Sequence, residues 1–413
     1  MKYKLCRFCG NELNETFVDL GMSPLSNAYV SFENLQNKES FYPLHTYVCS
    51  KCFLVQLEEF ESPDEIFREY AYFSSFSDSW LKHAEDYVNM IIERFKFDFN
   101  SQIIEVASND GYLLQYFKRE GVPVLGIEPA KNIAAEAIKK GIPTKSEFFG
   151  VKLANELIGK NIQADLLIGN NVLAHVPNLN DFVLGMKKIL RPKGIITMEF
   201  PHILRLMQGN QFDTIYHEHF SYLSLIAVKQ AFEKHGLTIF DVEELSTHGG
   251  SLRIYAKHIV DNTRNISENV RYVMNKEIQL GLDKIETYRE FSQQVKKTKR
   301  NILSFLVNLK NEGKQIVGYG APAKGNTLLN YCGIGTDFLD YTVDISPHKQ
   351  GLYLPGTHIP IFPPDKIKET KPAYVVILPW NIKEEIMEQM SFIKEWGGKF
   401  VTLIPSVEVL NDI

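Results

Sequence analysis

An apolar run, Gln102-Ile-Ile-Glu-Val-Ala-Ser108, passes directly into the polar turn Asn109-Asp110-Gly111 and then into a segment with helical spacing that begins near Tyr112. A strand, a tight turn and a helix in that order bring backbone close to a nucleotide at the open end of a doubly wound sheet. The next apolar run, Val124 to Pro129, places Glu128 about 20 residues past the turn, where a carboxylate can accept both hydroxyls of an adenosine ribose. The turn holds one glycine instead of the G-x-G-x-x-G that close approach to a pyrophosphate needs. Glu105, Asn109 and Asp110 surround it with acid and amide groups, which suit a cationic, phosphate-free adenosyl ligand. S-adenosylmethionine is such a ligand. Ala107, Ser108, Asn109, Gly111 and Glu128 are the residues expected to hold it.

The alternation continues beyond this unit. A fourth strand runs from Asp165 to Asn171 and ends in the pair Asn170-Asn171, a further expected cofactor contact. A helix from 181 to 190 and a fifth strand from Gly194 to Pro201 follow. Past a helix at 224 to 235, strands at 237 to 243 and 251 to 257 flank His248-Gly249-Gly250. Five parallel strands closed by such a hairpin is the class I methyltransferase order, so the fold class is α/β, with a doubly wound sheet.

Four of the five cysteines fall into two C-x-x-C pairs, Cys6 with Cys9 and Cys49 with Cys52. Such pairs can turn four thiolates onto one tetrahedral cation with no open position, which describes a structural zinc. Residues 10 to 48 must then form an excursion, with short strands near Pro24 and Pro43. Cys332 stands alone and reads as a small buried apolar residue.

The net charge of −5 carries no broad cationic field, so no nucleic-acid partner and no anionic membrane surface is expected. No run approaches the roughly 18 to 20 apolar residues of a membrane span, and the first residues lack an apolar signal core. A cytoplasmic location is expected.

Residues 264 to 312 are charged, proline-free and apolar at helical spacing, and read as long connecting helices. A second α/β unit begins at Lys314, where a strand enters Gly320-Ala-Pro-Ala-Lys324-Gly325; Asp344 ends the next strand. There Gly318, Gly320 and Gly325 would open backbone to a ligand and Lys324 would supply charge. By itself this turn also suits a nicotinamide cofactor, which keeps an NAD-dependent oxidoreductase or epimerase open as an alternative. A non-catalytic zinc and nucleotide-fold interaction protein is the other.

The segments EVASNDGYLLQ, GIEPA, NNVLAHVPN, YHEHFSYLS, HGGSLRIY, GYGAPAKGNTLLNY and VDISPHKQGLYLPG, with the paired C-x-x-C start, resemble the sugar-nucleotide C-methyltransferases of deoxysugar pathways. The likeness runs in order from Cys6 to about Pro405. It implies three domains: a zinc-binding domain over 1–68, a methyltransferase domain over 69–262 with a lid and leading helix at 69–100, and a Rossmann-like α/β domain over 263–413 that contributes to a sugar-nucleotide cleft. It further implies methylation at C3 of a nucleotide-linked 4-keto-deoxyhexose. Carbon methylation beside a ketone needs a base to remove the α proton, and histidine titrates nearest to working pH. By the resemblance His219 takes that proton, Tyr216 and Glu218 orient it or polarise the substrate, and His175 faces the reacting centre. His217 is expected to face solvent. Tyr70, Tyr72, Ser74 and Ser75 would form the lid, while Ser251, Arg253, Lys324 and Lys349 would contact the sugar or its phosphates.

Overall fold

The computed structural model describes residues 4–62 and 74–410. The chain divides into two compact units, and neither is contiguous in sequence: the first contains Met1–Asn14, Cys49–His202 and Phe220–Asp283, the second Glu15–Val48, Ile203–His219 and Lys284–Ile413. Three strands open the chain. β1 (Glu15–Ser23) and β2 (Tyr42–Val48) belong to the second unit, and β3 (Val55–Leu57) to the first.

The first unit is built on β4 (Ile103–Val106), β5 (Val124–Ile127), β6 (Thr144–Lys145), β7 (Ala164–Asn170) and β8 (Leu190–Pro201). A two-residue strand, β9 (Ser221–Tyr222), pairs antiparallel with β3, and β10 (Leu237–Leu245) and β11 (Ser251–His258) complete the set. The large sheet has the order β10-β11-β8-β7-β4-β5-β6, with β11 antiparallel to both of its neighbours. This is the class I methyltransferase arrangement expected from the sequence, and its third parallel strand, only two residues long, had left no readable apolar run.

Every residue of β4 is buried, as a parallel strand covered on both faces requires. One face carries Ile104, Val106, Phe182, Met186 and Phe200; the same apolar cluster takes in Cys6, Phe8, Cys49, Cys52 and Leu54. The cysteine turns therefore share the core of the cofactor sheet. The opposite face is covered by the helix Asp78–Phe95, which buries Ala84, Tyr87, Val88 and Ile91. Ser77 starts that helix by accepting the Trp80 N–H, and Lys96 ends it in the left-handed conformation.

In the second unit, β12 (Ile316–Tyr319), β13 (Thr342–Val343), β14 (Ile361–Phe362), β15 (Tyr374–Ile377), β16 (Lys399–Thr402) and β17 (Glu408–Leu410) form a sheet of order β14-β13-β12-β15-β16-β17, parallel except at β17. The strand order reverses between β12 and β15, which makes the carboxyl ends of those two strands the place for a ligand. The hairpin β1–β2, which is the excursion between the cysteine pairs, packs here: Phe17 stacks on Phe291 at 5.1 Å and meets Tyr288 edge-on at 5.8 Å, both from the helix Ile285–Asn311. Among the described residues no helix is long and apolar enough to cross a membrane.

Candidate functional site

The four cysteine sulfurs lie within 4.8 Å of one another, with Cys6 to Cys52 at 3.6 Å and Cys9 to Cys49 at 3.5 Å. A tetrahedron with Zn–S bonds of about 2.3 Å has edges of about 3.8 Å, so the donor set fits zinc with no fifth position. The two turns are built alike: Gly10 N–H bonds the Cys6 carbonyl and Phe53 N–H the Cys49 carbonyl, and both donors have positive φ. The Gln56 side-chain amide donates to Cys6 Sγ at 3.2 Å, the kind of outer bond that orients a ligand.

At the carboxyl end of β4, Ala107, Asn109 and Gly111 all have positive φ, which coils the turn so tightly that a Cβ on Gly111 would sit 2.8 Å from Ile142 Cγ1. Glu128, buried at the end of β5, closes the turn by accepting Asn109 N–H at 3.0 Å and Ala130 N–H at 2.9 Å. Burial pushes its carboxyl up to about 7 against the pull of those two donors. Beneath it Glu105 is fully buried, and burial together with Glu128 and Asp110 raises it well above the usual carboxylate range. Ser108 Oγ, Asp110 Oδ1 and Asn170 Nδ2 are buried with no hydrogen-bond partner among the described residues. Buried polar atoms left open around a coiled turn, backed by acids that a cation would stabilise as anions, fit S-adenosylmethionine.

Glu128 makes this site testable by pH. Burial keeps its carboxyl protonated below about 7, whereas accepting both hydroxyls of a ribose takes the ionised form; if Glu128 holds the ribose, ligand binding expels a proton and is weakened as pH falls through that value. Calorimetric titration with S-adenosylhomocysteine between about pH 6 and 8 should show affinity rising and then levelling off. Glu128→Gln should bind weakly and flatten the profile; an unchanged profile would remove Glu128 from the site.

Ser74 and Ser75 belong to this turn. Ser74 N–H donates to Asn109 Oδ1 at 2.9 Å, and the Ser75 hydroxyl donates to Asp110, which also pairs with Lys140 at 2.8 Å. Tyr70 and Tyr72 lie outside the described residues. At the end of β7, Asn171 takes a positive φ and donates N–H to the Glu199 carbonyl, and its side chain reaches His248 at 3.0 Å. His175 stands one turn on, half-buried, on a short 3-10 turn whose Ala174 carbonyl receives Phe220 N–H.

The β11 residues have other duties. Ser251 is buried and donates to the Thr247 carbonyl at 3.0 Å. Arg253 is buried over the Tyr87 ring, with Glu199 at 3.0 Å and Glu243 at 3.1 Å. Burial pushes Glu199 up, but His83, Arg253 and Thr247 outweigh it and hold the carboxyl below its usual range. A guanidinium matched to two carboxylates has little charge left for a phosphate.

The second unit carries Tyr216 to His219. His219 Nδ1 lies 3.0 Å from the Thr214 carbonyl, which can only accept, so Nδ1 carries the proton and Nε2 of the neutral ring carries the lone pair. The Tyr216 ring packs against the imidazole at 4.1 Å. Glu218 is buried and accepts from Asn27 Nδ2 at 2.5 Å. His217 does not face solvent. It is buried edge-on to Tyr42, and burial pushes its pKa down to about 4, so it stays a neutral packing residue.

The glycine-rich turn after β12 is filled from within. A Cβ on Gly318 would meet Thr342 Oγ1 at 2.6 Å, one on Gly320 would meet Pro379 Cδ at 2.6 Å, and one on Gly325 would meet Leu378 Cβ at 2.9 Å. The glycines make room for the protein's own side chains, which removes the expectation that they open backbone to a ligand and with it the main support for nicotinamide. Asp344 accepts Ala321 N–H at 2.7 Å, and Lys349 Nζ donates to the Ala321 carbonyl at 2.9 Å. Lys324 Nζ donates to Asn381 Oδ1 at 2.5 Å and lies over the Trp380 ring, with burial lowering its pKa. Both lysines thus stand at the turn, near the strand-order reversal. Asn27, Asp213 and Thr214 carry no motif that would have singled them out.

Three family models cover the chain in turn: a zinc binding domain over residues 6–67, a methyltransferase domain over 80–242 and a C-methyltransferase C-terminal domain over 246–405. The C-methyltransferase NovU of Streptomyces niveus is 33% identical over 406 residues, 98% of this chain and 96% of its own length. The ubiquinone biosynthesis O-methyltransferase of Rickettsia bellii (strain OSU 85-389) is 26% identical over 112 residues, which cover 26% of this chain and 47% of that protein.

Proposed function

Because the chain belongs to the C-methyltransferase family and binds S-adenosylmethionine through its class I domain, we propose that the carbon it methylates is C3 of a nucleotide-linked 4-keto-deoxyhexose, activated as an enolate by His219. The bond from His219 Nδ1 to the Thr214 carbonyl is the observation that carries this reading, since it leaves the lone pair on Nε2, where a general base needs it.

Bound S-adenosylmethionine supplies an electrophilic methyl group. His219 Nε2 takes the C3 proton, and the electron pair moves through the C3–C4 bond onto the ketone oxygen. The turn 107–111 and Glu128 would hold the cofactor that supplies its methyl group to the nucleophilic carbon. Tyr216 packs on the imidazole and holds the ring plane, and its hydroxyl is assigned to the developing oxyanion. Glu218, gripped by Asn27, supports an imidazolium electrostatically once the proton has moved. His175 is assigned to the reacting carbon's surroundings. Lys324 and Lys349 are assigned to the pyrophosphate through their amines alone, since the glycines beside them offer it no open backbone. Ser74 and Ser75, tied to the cofactor turn, close that end of the site; Ser251 and Arg253 support β11 in place of touching the sugar.

The test is mass spectrometry on products formed from S-adenosylmethionine and a panel of nucleotide-linked 4-keto-6-deoxy and 4-keto-2,6-dideoxy hexoses. A product one methylene heavier, with the new methyl on C3 by NMR, is expected. Methylation on oxygen, or no turnover on any keto sugar, would overturn the substrate assignment.

A further inference from the structure

The segment that carries the histidine cluster is held by buried contacts with the C-terminal fold. Asn210 Nδ2 donates to Thr298 Oγ1 at 2.7 Å and to the Pro405 carbonyl at 2.8 Å, and the Thr327 hydroxyl donates to the Ile215 carbonyl at 3.1 Å. Between these lies the 3-10 turn Phe212–Thr214. Phe212 packs edge-on to Tyr331 at 5.5 Å, and Asp213, with no exposed surface, accepts the Trp380 indole N–H on Oδ2 at 2.7 Å. Trp380 follows β15, one of the two strands that flank the reversal in strand order.

A carboxylate is a costly group to bury, and a merely structural turn could be held by apolar packing. Burial pushes Asp213 up to about 6, but Lys324, Trp380 and backbone N–H groups pull against it, so it is ionised at neutral pH. The other titratable group beside it, the Cys332 thiol, is pushed up to about 12 by burial and is neutral. A charge-assisted bond from a rigid indole fixes the turn more tightly than a neutral one. The residue that follows Asp213 is Thr214, whose carbonyl receives His219 Nδ1–H.

We propose that Asp213 is a positioning residue: anchored by the Trp380 indole, it holds the Thr214 carbonyl where it selects the His219 tautomer with its lone pair on Nε2. The consequence for turnover rests on His219 being the base, but the consequence for the tautomer does not. Lys324, which faces Asp213 from the glycine-rich turn, ties the anchor to the end of the sheet where the substrate's phosphates are assigned.

The test uses the full-length protein with ¹⁵N-labelled histidine, with thermal melts as the control for folding. In the wild type, NMR should show His219 protonated on Nδ1. Asp213→Ala and Trp380→Phe should each give a mixture of tautomers and lower kcat and the C3 exchange rate on the order of 10²-fold, as a loss of alignment does. KM for S-adenosylmethionine should hold. The double variant should be no worse than either single one, because both remove the same bond. Asp213→Asn, whose amide oxygen can still accept the indole N–H but without the charge, should recover part of the rate and fall between Asp213→Ala and the wild type. The proposal is overturned if Asp213→Ala keeps the wild-type tautomer, or if Asp213→Asn falls as far as Asp213→Ala. If the tautomer shifts while kcat does not, the positioning stands and the base is another residue.

Discussion

Replacing His219 by asparagine is expected to lower methylation by about 10²- to 10⁴-fold, the contribution of a positioned general base. The loss belongs in kcat, because asparagine can still bond the Thr214 carbonyl and nothing around the cofactor turn changes. S-adenosylhomocysteine should bind as before. A sharper assay follows wash-in of deuterium at C3 of the keto sugar with S-adenosylhomocysteine present, where enolisation can proceed but methyl transfer cannot. His219→Asn should abolish the wash-in. Glu218→Gln should slow it without stopping it, since Glu218 is held by Asn27 and acts on the charge of the imidazolium. Should wash-in survive in His219→Asn and vanish in Tyr216→Phe or His175→Asn, the base is one of those residues, and the reaction class is unaffected.

The second large effect is expected at the cysteines. Metal analysis of the purified protein should find one zinc per chain, and Cys49→Ser should lose it. Structural zinc contributes on the order of 10 kcal/mol in small zinc modules, and removing one thiolate leaves a three-ligand site that no longer closes. Because Cys6, Cys49 and Cys52 pack in the same apolar cluster as Phe182 and Phe200, the loss should lower the melting temperature of the cofactor sheet itself, with no separate early transition. Below that transition the variant should still bind S-adenosylmethionine, because none of the four cysteines belongs to the turn 107–111 or to Glu128. Retention of zinc by Cys49→Ser, or free alkylation of all four cysteines in the native protein, would refute the site.

Much of the cofactor unit was legible because its signals are local. Ile103, Ile104 and Val106 give β4 the apolar run of a covered parallel strand, the turn after it carries a single glycine, and the acid at the end of β5 follows about 20 residues on. The C-x-x-C spacing is equally local, since each pair makes one turn. The readings that changed all depended on distant partners. Arg253 looked like a phosphate ligand until Glu199, 54 residues away, was found on it. His217 looked solvent-facing in a polar string, yet Tyr42 covers it. Gly318, Gly320 and Gly325 looked like an open cradle, but Thr342, Pro379 and Leu378 fill the space.

The sequence by itself determined the main strands and helices of the cofactor unit, the cofactor turn with its acid, and the two C-x-x-C pairs, because apolar periodicity, turn chemistry and ligand spacing act over a few residues. The tertiary structure alone decided that residues 15–48 and 203–219 join the C-terminal fold, which nitrogen of His219 bears the proton, and which charges are already spent on each other. Contacts such as Asn27 with Glu218 and Trp380 with Asp213 span 191 and 167 residues. No periodicity marks such pairs, and any asparagine or tryptophan in the chain could have filled those places equally well until packing chose one.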